Sequence, residues 1–130
     1  MDTYGRRIDR WRLVPDGSLR DRSPLGPFDA PDCGYPDGLT CDLEGCLWVA
    51  EWGAARVSRL NPAGERLEVV HLPVSQPTSC TVGGQDLRRL YITSAAQGLA
   101  GAGVGEPLAA GGLFAVDLAV PGLPAARFAG

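Results

Sequence analysis

The feature that most constrains the fold of this 130-residue chain is a pattern of turns and short strands that recurs along it. The segment Pro36–Cys41 (PDGLTC) aligns with Pro77–Val82 (PTSCTV). Further pairs are residues 47–49 with 90–92, residues 7–10 with 56–59, and a third copy that starts at Leu113–Asp117. A repeat of about 40–50 residues with four short strands is typical of β-propeller blades. An ordinary β-sandwich, the alternative, gives no reason for the same order of turns and strands to recur.

The segments between the turns alternate apolar and polar residues, as half-buried strands do. The predicted strands are residues 7–14, 38–43, 47–52, 56–61, 66–73, 78–82, 87–95 and 112–118. No segment has the pattern of a long amphipathic helix. We therefore predict an all-β protein that holds about three blades of a propeller. Since a closed ring needs about four to eight blades, the ring is incomplete, and its open sheet edges predict self-association.

The charge and hydropathy of the chain exclude several kinds of partner. The net charge is −3, which predicts no nucleic-acid partner and no attraction to an acidic membrane surface. No apolar run reaches about 18 residues, so no transmembrane helix is expected. The first residues lack the apolar core of a signal peptide. The expected compartment is the cytoplasm. The four cysteines form no CxxC pair and are expected to be reduced. Cys41 and Cys80 are expected to lie in strands as small apolar residues.

Polar residues in the turns and at the N-terminus are expected to face solvent. The N-terminal arginines alternate with aspartates, which indicates a solvated surface rather than a phosphate site. These arginines are Arg6, Arg7, Arg10, Arg12, Arg20 and Arg22. Asp42, Glu44 and Asp86 lie in predicted turns and are interpreted in the same way.

A series of motifs in a fixed order gives a more specific signal. The motifs are YPDG at residues 35–38, LWVA at 47–50, LP at 72–73, PTSC at 77–80 and LYITSA at 90–95, with Asp42, Gly45, Arg56, Val57, Pro62 and Gly64 between them. In this order they resemble the senescence-marker-protein/regucalcin/gluconolactonase (LRE-like) family. The resemblance covers residues 1–130, which correspond to the C-terminal half of a family member and are expected to belong to one propeller domain.

The resemblance implies a six-bladed propeller, a divalent cation in the central channel, and hydrolysis of sugar lactones or related esters. The cation is expected to be Ca²⁺, with Zn²⁺, Mg²⁺ and Mn²⁺ as alternatives. Family members hold the ion with an early glutamate, a middle asparagine and the aspartate of the PDG turn. Only the aspartate has a counterpart here, Asp37. We therefore expect the other two ligands upstream of Met1 and the isolated chain to be inactive.

Two explanations of Asp37 follow from the residues themselves. Pro-Asp-Gly is a common turn sequence, and turn formation alone explains an aspartate there. A carboxylate is also a preferred ligand of hard cations, and it can accept a proton from an attacking water. Thr78 and Ser79 occupy the equivalent place in the next repeat. They either hydrogen-bond the substrate or end a strand with side-chain-to-backbone bonds.

The remaining candidates are interpreted as structural. Trp48 and Trp52 are expected to pack between blades rather than to bind sugar. His71 has no partner pattern for a catalytic triad, and the glycine-rich residues 98–112 do not form a dinucleotide-binding motif. The alternative to a lactonase is a non-catalytic truncated propeller that binds Ca²⁺ weakly or binds a protein partner.

Overall fold

The computed structural model describes residues 1–99 and 109–127, which form nine strands. The strands are β1 Ile8–Leu13, β2 Leu19–Leu25, β3 Tyr35–Cys41, β4 Leu47–Trp52, β5 Arg56–Leu60, β6 Arg66–His71, β7 Pro77–Gly83, β8 Arg89–Ser94 and β9 Leu113–Asp117. These residues contain no helix, and thus none that could cross a bilayer.

The strands form three antiparallel sheets, β1-β2, β3-β4-β5-β6 and β7-β8-β9. The middle sheet is a complete four-stranded blade, and a partial blade lies on each side of it. The sequence repeat corresponds to this order. The aligned segments at residues 36–41 and 77–82 lie in β3 and β7, each the first strand of its sheet, and the aligned segments at residues 7–10 and 56–59 lie at β1 and β5. The predicted all-β fold is confirmed, and the open sheets fit an incomplete propeller. Strand β2 was not predicted, because its charged residues and Pro24 obscure the apolar alternation.

The middle sheet buries both of its faces. One face packs against the sheet β7-β8-β9 through Trp48, Ala50, Val57, Cys80, Leu90 and Ile92. The opposite face packs against β1 and β2 and the loop that follows them through Val49, Leu60, Ile8, Leu25, Phe28 and Cys33. Successive side chains of a strand point to opposite faces, so β4 is buried at four consecutive positions. Each large apolar side chain buried in this way stabilises the fold by about 1.5–3 kcal/mol.

The loop between β2 and β3 is fixed by the guanidinium of Arg6. This group donates hydrogen bonds to the backbone oxygens of Phe28 at 3.1 Å, Ala30 at 3.0 Å and Cys33 at 2.5 Å. The prediction that Arg6 is solvated is therefore wrong, because carbonyls 22 to 27 residues away along the chain replace water around it. The loop leads directly into β3, so Arg6 helps to set where that strand begins.

The other expectations for the surface and the cysteines agree with the structure. Arg12 pairs with Asp21, and Arg22 pairs with Asp9, on the exposed surface of the β1-β2 hairpin. All four cysteines are free. Cys41 and Cys80 lie in β3 and β7 as predicted.

Candidate functional site

Asp37 lies at a β-bulge near the start of β3. In the β3–β4 ladder Pro36 pairs with Glu51 and Leu39 pairs with Val49, so Asp37 and Gly38 together oppose a single residue of β4. A bulge bends the strand and redirects its side chains, and bulges are frequent next to active sites. The PDG turn predicted from the sequence is therefore an irregularity within a strand.

A cavity of about 620 Å³ opens beside this bulge. Its lining residues are Thr3, Tyr4, Tyr35, Asp37, Trp52 and Gln97. The volume lies within the range of about 300–1,000 Å³ found for small-molecule sites. The cavity combines aromatic rings with a carboxylate and several uncharged polar groups.

The Asp37 carboxylate has no counter-charge among the residues that the structure describes. Burial raises its pKa, and a hydrogen bond from the Gly38 backbone opposes this rise. No arginine forms a salt bridge with Asp37 within residues 1–99 and 109–127. A half-buried carboxylate without a partner is a suitable oxygen ligand for a hard cation.

The same part of the chain supplies few other ligands for a metal ion. The described residues contain no group of three or more His, Cys, Asp or Glu side chains that could hold one. Ca²⁺ takes about six to eight oxygen ligands, so Asp37 fits as one ligand of an ion whose remaining ligands come from elsewhere.

Thr78 and Ser79 lie at an equivalent irregularity of β7. In the β7–β8 ladder Pro77 pairs with Ser94 and Ser79 pairs with Thr93, which leaves Thr78 as the extra residue. The hydroxyls of Thr78 and Thr93 share a hydrogen bond of 2.7 Å. Ser79 is exposed. Neither Thr78 nor Ser79 is among the described residues that line the 620 Å³ cavity, although Ser79 contacts the PDG turn.

This contact explains why residue 38 is a glycine. A Cβ atom on Gly38 would collide with the side chain of Ser79 and would lie 2.6 Å from its Cα atom. The first strands of the two neighbouring sheets, β3 and β7, approach each other at this point. Gly38 is required for this close approach.

A buried glutamate supports the turn from the neighbouring strand. Glu51 is fully buried on β4 and accepts hydrogen bonds from the Gly34 backbone at 3.1 Å, from Arg56 at 2.8 Å and from the Ser58 hydroxyl. Burial by itself raises the pKa of Glu51, but the hydrogen bonds from Arg56, Ser58 and Gly34 together lower it below its ordinary value. Glu51 thereby ties the residues before Asp37 to the centre of the sheet. The sequence signal for it was a glutamate inside the apolar strand LWVAEW, which our sequence analysis did not single out.

A second buried carboxylate corrects an expectation from the sequence. Asp42 was predicted to be solvated, but it is completely buried. It accepts hydrogen bonds from Arg59 Nε at 2.7 Å, Trp48 Nε1 at 3.2 Å and the Cys46 backbone at 3.0 Å. Glu44 and Asp86 are exposed, as predicted. Asp42 therefore holds the turn after β3 at the base of the complete blade, away from the cavity.

The two tryptophans of β4 have different environments. Trp48 is 1% exposed and packs between blades as predicted. Trp52 is half-buried and lines the cavity, so the expectation of inter-blade packing is wrong for it. His71 is exposed at the end of β6. Residues 100–108 of the glycine-rich stretch, for which no dinucleotide-binding role is predicted, lie outside the described residues.

Residues 1–96 match the family described as the SMP-30/Gluconolactonase/LRE-like region. Over 129 residues the chain is 37% identical to the 6-deoxy-6-sulfogluconolactonase of Pseudomonas putida, an alignment that covers 99% of this chain and 44% of that protein.

Two solved structures have the same fold. A luciferin-regenerating enzyme superposes with a TM-score of 0.83 and 33% identity, over 95% of this chain and 42% of its own. A calcium-binding regucalcin from Agrobacterium tumefaciens superposes with a TM-score of 0.82 and 28% identity, over 95% of this chain and 42% of its own. The chain thus spans less than half the length of these relatives.

Proposed function

This chain belongs to the SMP-30/gluconolactonase/LRE-like family, and from that membership we propose that it is part of a cation-dependent sugar-lactone hydrolase in which Asp37 is a cation ligand. Residues 1–130 would form part of one propeller domain of a cytoplasmic enzyme with a small-molecule lactone substrate. Ca²⁺ is the proposed ion, since one structural relative is a calcium-binding protein. A lactone is the proposed substrate, since one relative is a sulfogluconolactonase.

The observation that carries this proposal is the environment of Asp37. Its carboxylate is half-buried, has no salt bridge within the described residues and lies in a cavity of ligand size. The hydrogen bond from the Gly38 backbone accounts for the turn role of Asp37, and it leaves the carboxylate with free lone pairs for a cation. The bulge that displaces Asp37 from the regular ladder further supports a ligand role.

The residues of this chain would contribute binding and proton transfer. A bound divalent cation polarises carbonyl groups and lowers the pKa of bound water. The Asp37 carboxylate accepts a proton from the attacking water, whose oxygen bonds to the lactone carbonyl carbon. The ring C–O bond then breaks, and the ring oxygen takes up the proton held by Asp37, which gives the open hydroxy acid and restores the carboxylate. Thr78 and Ser79 are proposed to contact the substrate through their hydroxyls.

A single carboxylate supports only weak cation binding, and we propose that the isolated chain is inactive for this reason. The second candidate function is a non-catalytic propeller segment that binds Ca²⁺ weakly or binds a protein partner. The observation that favours it is the lack of a further ligand cluster in the described residues. Copies of the chain are also proposed to associate through the free edges of β1 and β9, each of which pairs with a strand on one side only.

Terbium luminescence tests the role of Asp37. Tb³⁺ occupies Ca²⁺ sites, and Tyr35 and Trp52 in the same cavity would sensitise its emission. We expect saturable emission that Ca²⁺ suppresses and that Asp37→Asn abolishes. The matched control, Asp86→Asn, changes an exposed turn aspartate and should leave the emission unchanged. Equal emission from the Asp37→Asn and unsubstituted chains would refute Asp37 as a ligand.

Lactone hydrolysis then tests the proposed inactivity of the isolated chain. We expect no turnover of D-glucono-1,5-lactone above the spontaneous rate by the isolated chain at saturating Ca²⁺. Turnover that Asp37→Asn removes would show that the chain is an enzyme by itself and would contradict its proposed inactivity.

A further inference from the structure

Two aromatic residues form one side of the cavity. Tyr35 begins β3 and Trp52 ends β4, and the two are paired across the ladder. Residues directly opposite each other in an antiparallel pair point to the same face, with Cβ atoms about 4.5–5.5 Å apart. Both side chains therefore lie on the same face at the end of the complete blade, and both line the cavity.

This aromatic surface is accessible, unlike the apolar side chains in the interior of the same strands. Tyr35 is 42% exposed, whereas Trp48 on the same sheet is 1% exposed. The guanidinium of Arg6 lies 5.1 Å from the centroid of the Tyr35 ring. Since Arg6 is itself held by three loop carbonyls, its guanidinium restrains the tyrosine ring from one face. A preformed surface binds a ligand with a smaller entropic cost.

The chemistry around the rings restricts the class of ligand. A sugar lactone presents an apolar face of C–H groups and a rim of hydroxyls. The apolar face matches the aromatic rings, and Thr3 and Gln97 offer hydrogen bonds to the hydroxyls. Asp37 lies two residues after Tyr35 on the same rim, where the carbonyl end of a stacked ring would reach it.

We propose that Tyr35 and Trp52 form a stacking platform for the ring of a sugar lactone, and that they select ring-closed over open-chain sugars. This inference rests on the proposed function, because it assumes that the cavity binds a sugar lactone. It assigns the recognition of the sugar ring to two residues that belong neither to the PDG turn nor to the proposed cation site.

The indole signals of the chain provide a direct test. The chain has three tryptophans, so its ¹H–¹⁵N spectrum contains three indole cross-peaks that single Trp→Phe variants assign. The probe is 1,5-anhydro-D-glucitol, a six-membered ring that has no carbonyl and cannot be hydrolysed. We expect saturable movement of the Trp52 cross-peak, while those of Trp11 and Trp48 stay in place. D-glucitol, which is an open chain, should bind more weakly.

Substitutions then separate stacking from other contacts. Trp52→Ala and Tyr35→Ala should each weaken binding of the probe, measured by isothermal titration calorimetry, about tenfold. Trp11→Ala is the matched control, because Trp11 is also exposed but lies on β1 and not in the cavity. It should bind the probe as the unsubstituted chain does. The inference is overturned if the Trp52 signal of the folded chain stays in place, or if Trp52→Ala binds the probe equally well.

Failure of this inference is distinguishable from failure of the proposed function. The probe has no carbonyl, so its binding does not depend on the Asp37 carboxylate or on a cation. Loss of terbium emission in Asp37→Asn without movement of the Trp52 signal would overturn the stacking platform alone. Movement of the Trp52 signal without Asp37-dependent terbium emission would overturn the cation site and support the platform.

Discussion

At the scale of single residues, two blades can approach closely at Gly38 and Ser79 because residue 38 has no side chain. We expect Gly38→Ala to destabilise the chain by about 1–3 kcal/mol, because the added methyl overlaps atoms of Ser79 on the adjacent strand. Urea unfolding followed by tryptophan fluorescence measures this change. Adding Ser79→Gly to the same chain should recover part of the loss. A double variant no more stable than Gly38→Ala alone would contradict the collision.

The residue scale is also where sequence analysis was least complete. Asp37 could be proposed from the sequence because its motif is local and lies between Pro36 and Gly38, and its role as a ligand stays a prediction. Asp42 was misinterpreted because its partner Arg59 lies 17 residues away, on a strand that folding brings alongside. Burial of a charged group depends on its partners in three dimensions, and turn chemistry alone does not reveal them.

At the scale of strands and sheets, alternation of apolar residues predicted most elements to within a few residues. β4 was predicted with the bounds that the structure has, Leu47–Trp52. The bulges at Asp37 and Thr78 were not predicted, because one extra residue in a strand leaves no clear mark on a pattern of period two. These bulges determine how the candidate side chains Asp37 and Thr78 are directed. The sequence therefore predicted the positions of the strands better than the directions of these side chains.

The hydrogen bonds of Glu51 connect β4 to the adjacent strand and to the loop before β3, and they make stability depend on pH. Its pKa is lower in the folded chain than the ordinary value of about 4.3. The stability it contributes is therefore complete above that ordinary value and is lost as the pH falls through the folded pKa. We expect Glu51→Gln to lower the free energy of unfolding at pH 7 by about 3 kcal/mol and to make its decline between pH 6 and 3 shallower.

Urea unfolding at a series of pH values measures this effect. Glu68→Gln is a matched control, because Glu68 is an exposed glutamate on β6 of the same sheet. It should keep the pH profile of the unsubstituted chain. If Glu51→Gln retained the full acid-dependent loss of stability, other carboxylates would be responsible for it.

At the scale of the whole molecule, the two partial blades leave strand edges without partners among the residues that the structure describes. Within these residues β1 pairs only with β2, and β9 pairs only with β8. We expect the mass measured by light scattering after size exclusion to rise with protein concentration, since an unpaired edge can add a strand from another copy. Ala115→Lys places a charge at an exposed position of β9 and should reduce this association. A mass that stays monomeric at all concentrations would contradict the expectation.

The incomplete ring could be predicted from the repeat and the length of the chain together. The cavity could not, because its lining extends from Thr3 to Gln97 and joins the middle sheet to the turn before β1 and to the loop after β8. Trp52 is an example. Its neighbours in sequence predict that it lies in a strand, but they do not predict that it lines a cavity, because the other lining residues are distant in sequence.

The connectivity of the middle sheet also has a consequence for the order of folding. Each of its pairings, β3 with β4, β4 with β5 and β5 with β6, joins strands that follow one another in the chain. Contacts between neighbours in sequence close short loops, and short loops form rapidly. The same holds for β1 with β2 and for β7, β8 and β9, so each sheet can form from contacts that are local in sequence. Packing of the sheets on either side of β4 and β5 is then the step that depends on contacts distant in sequence.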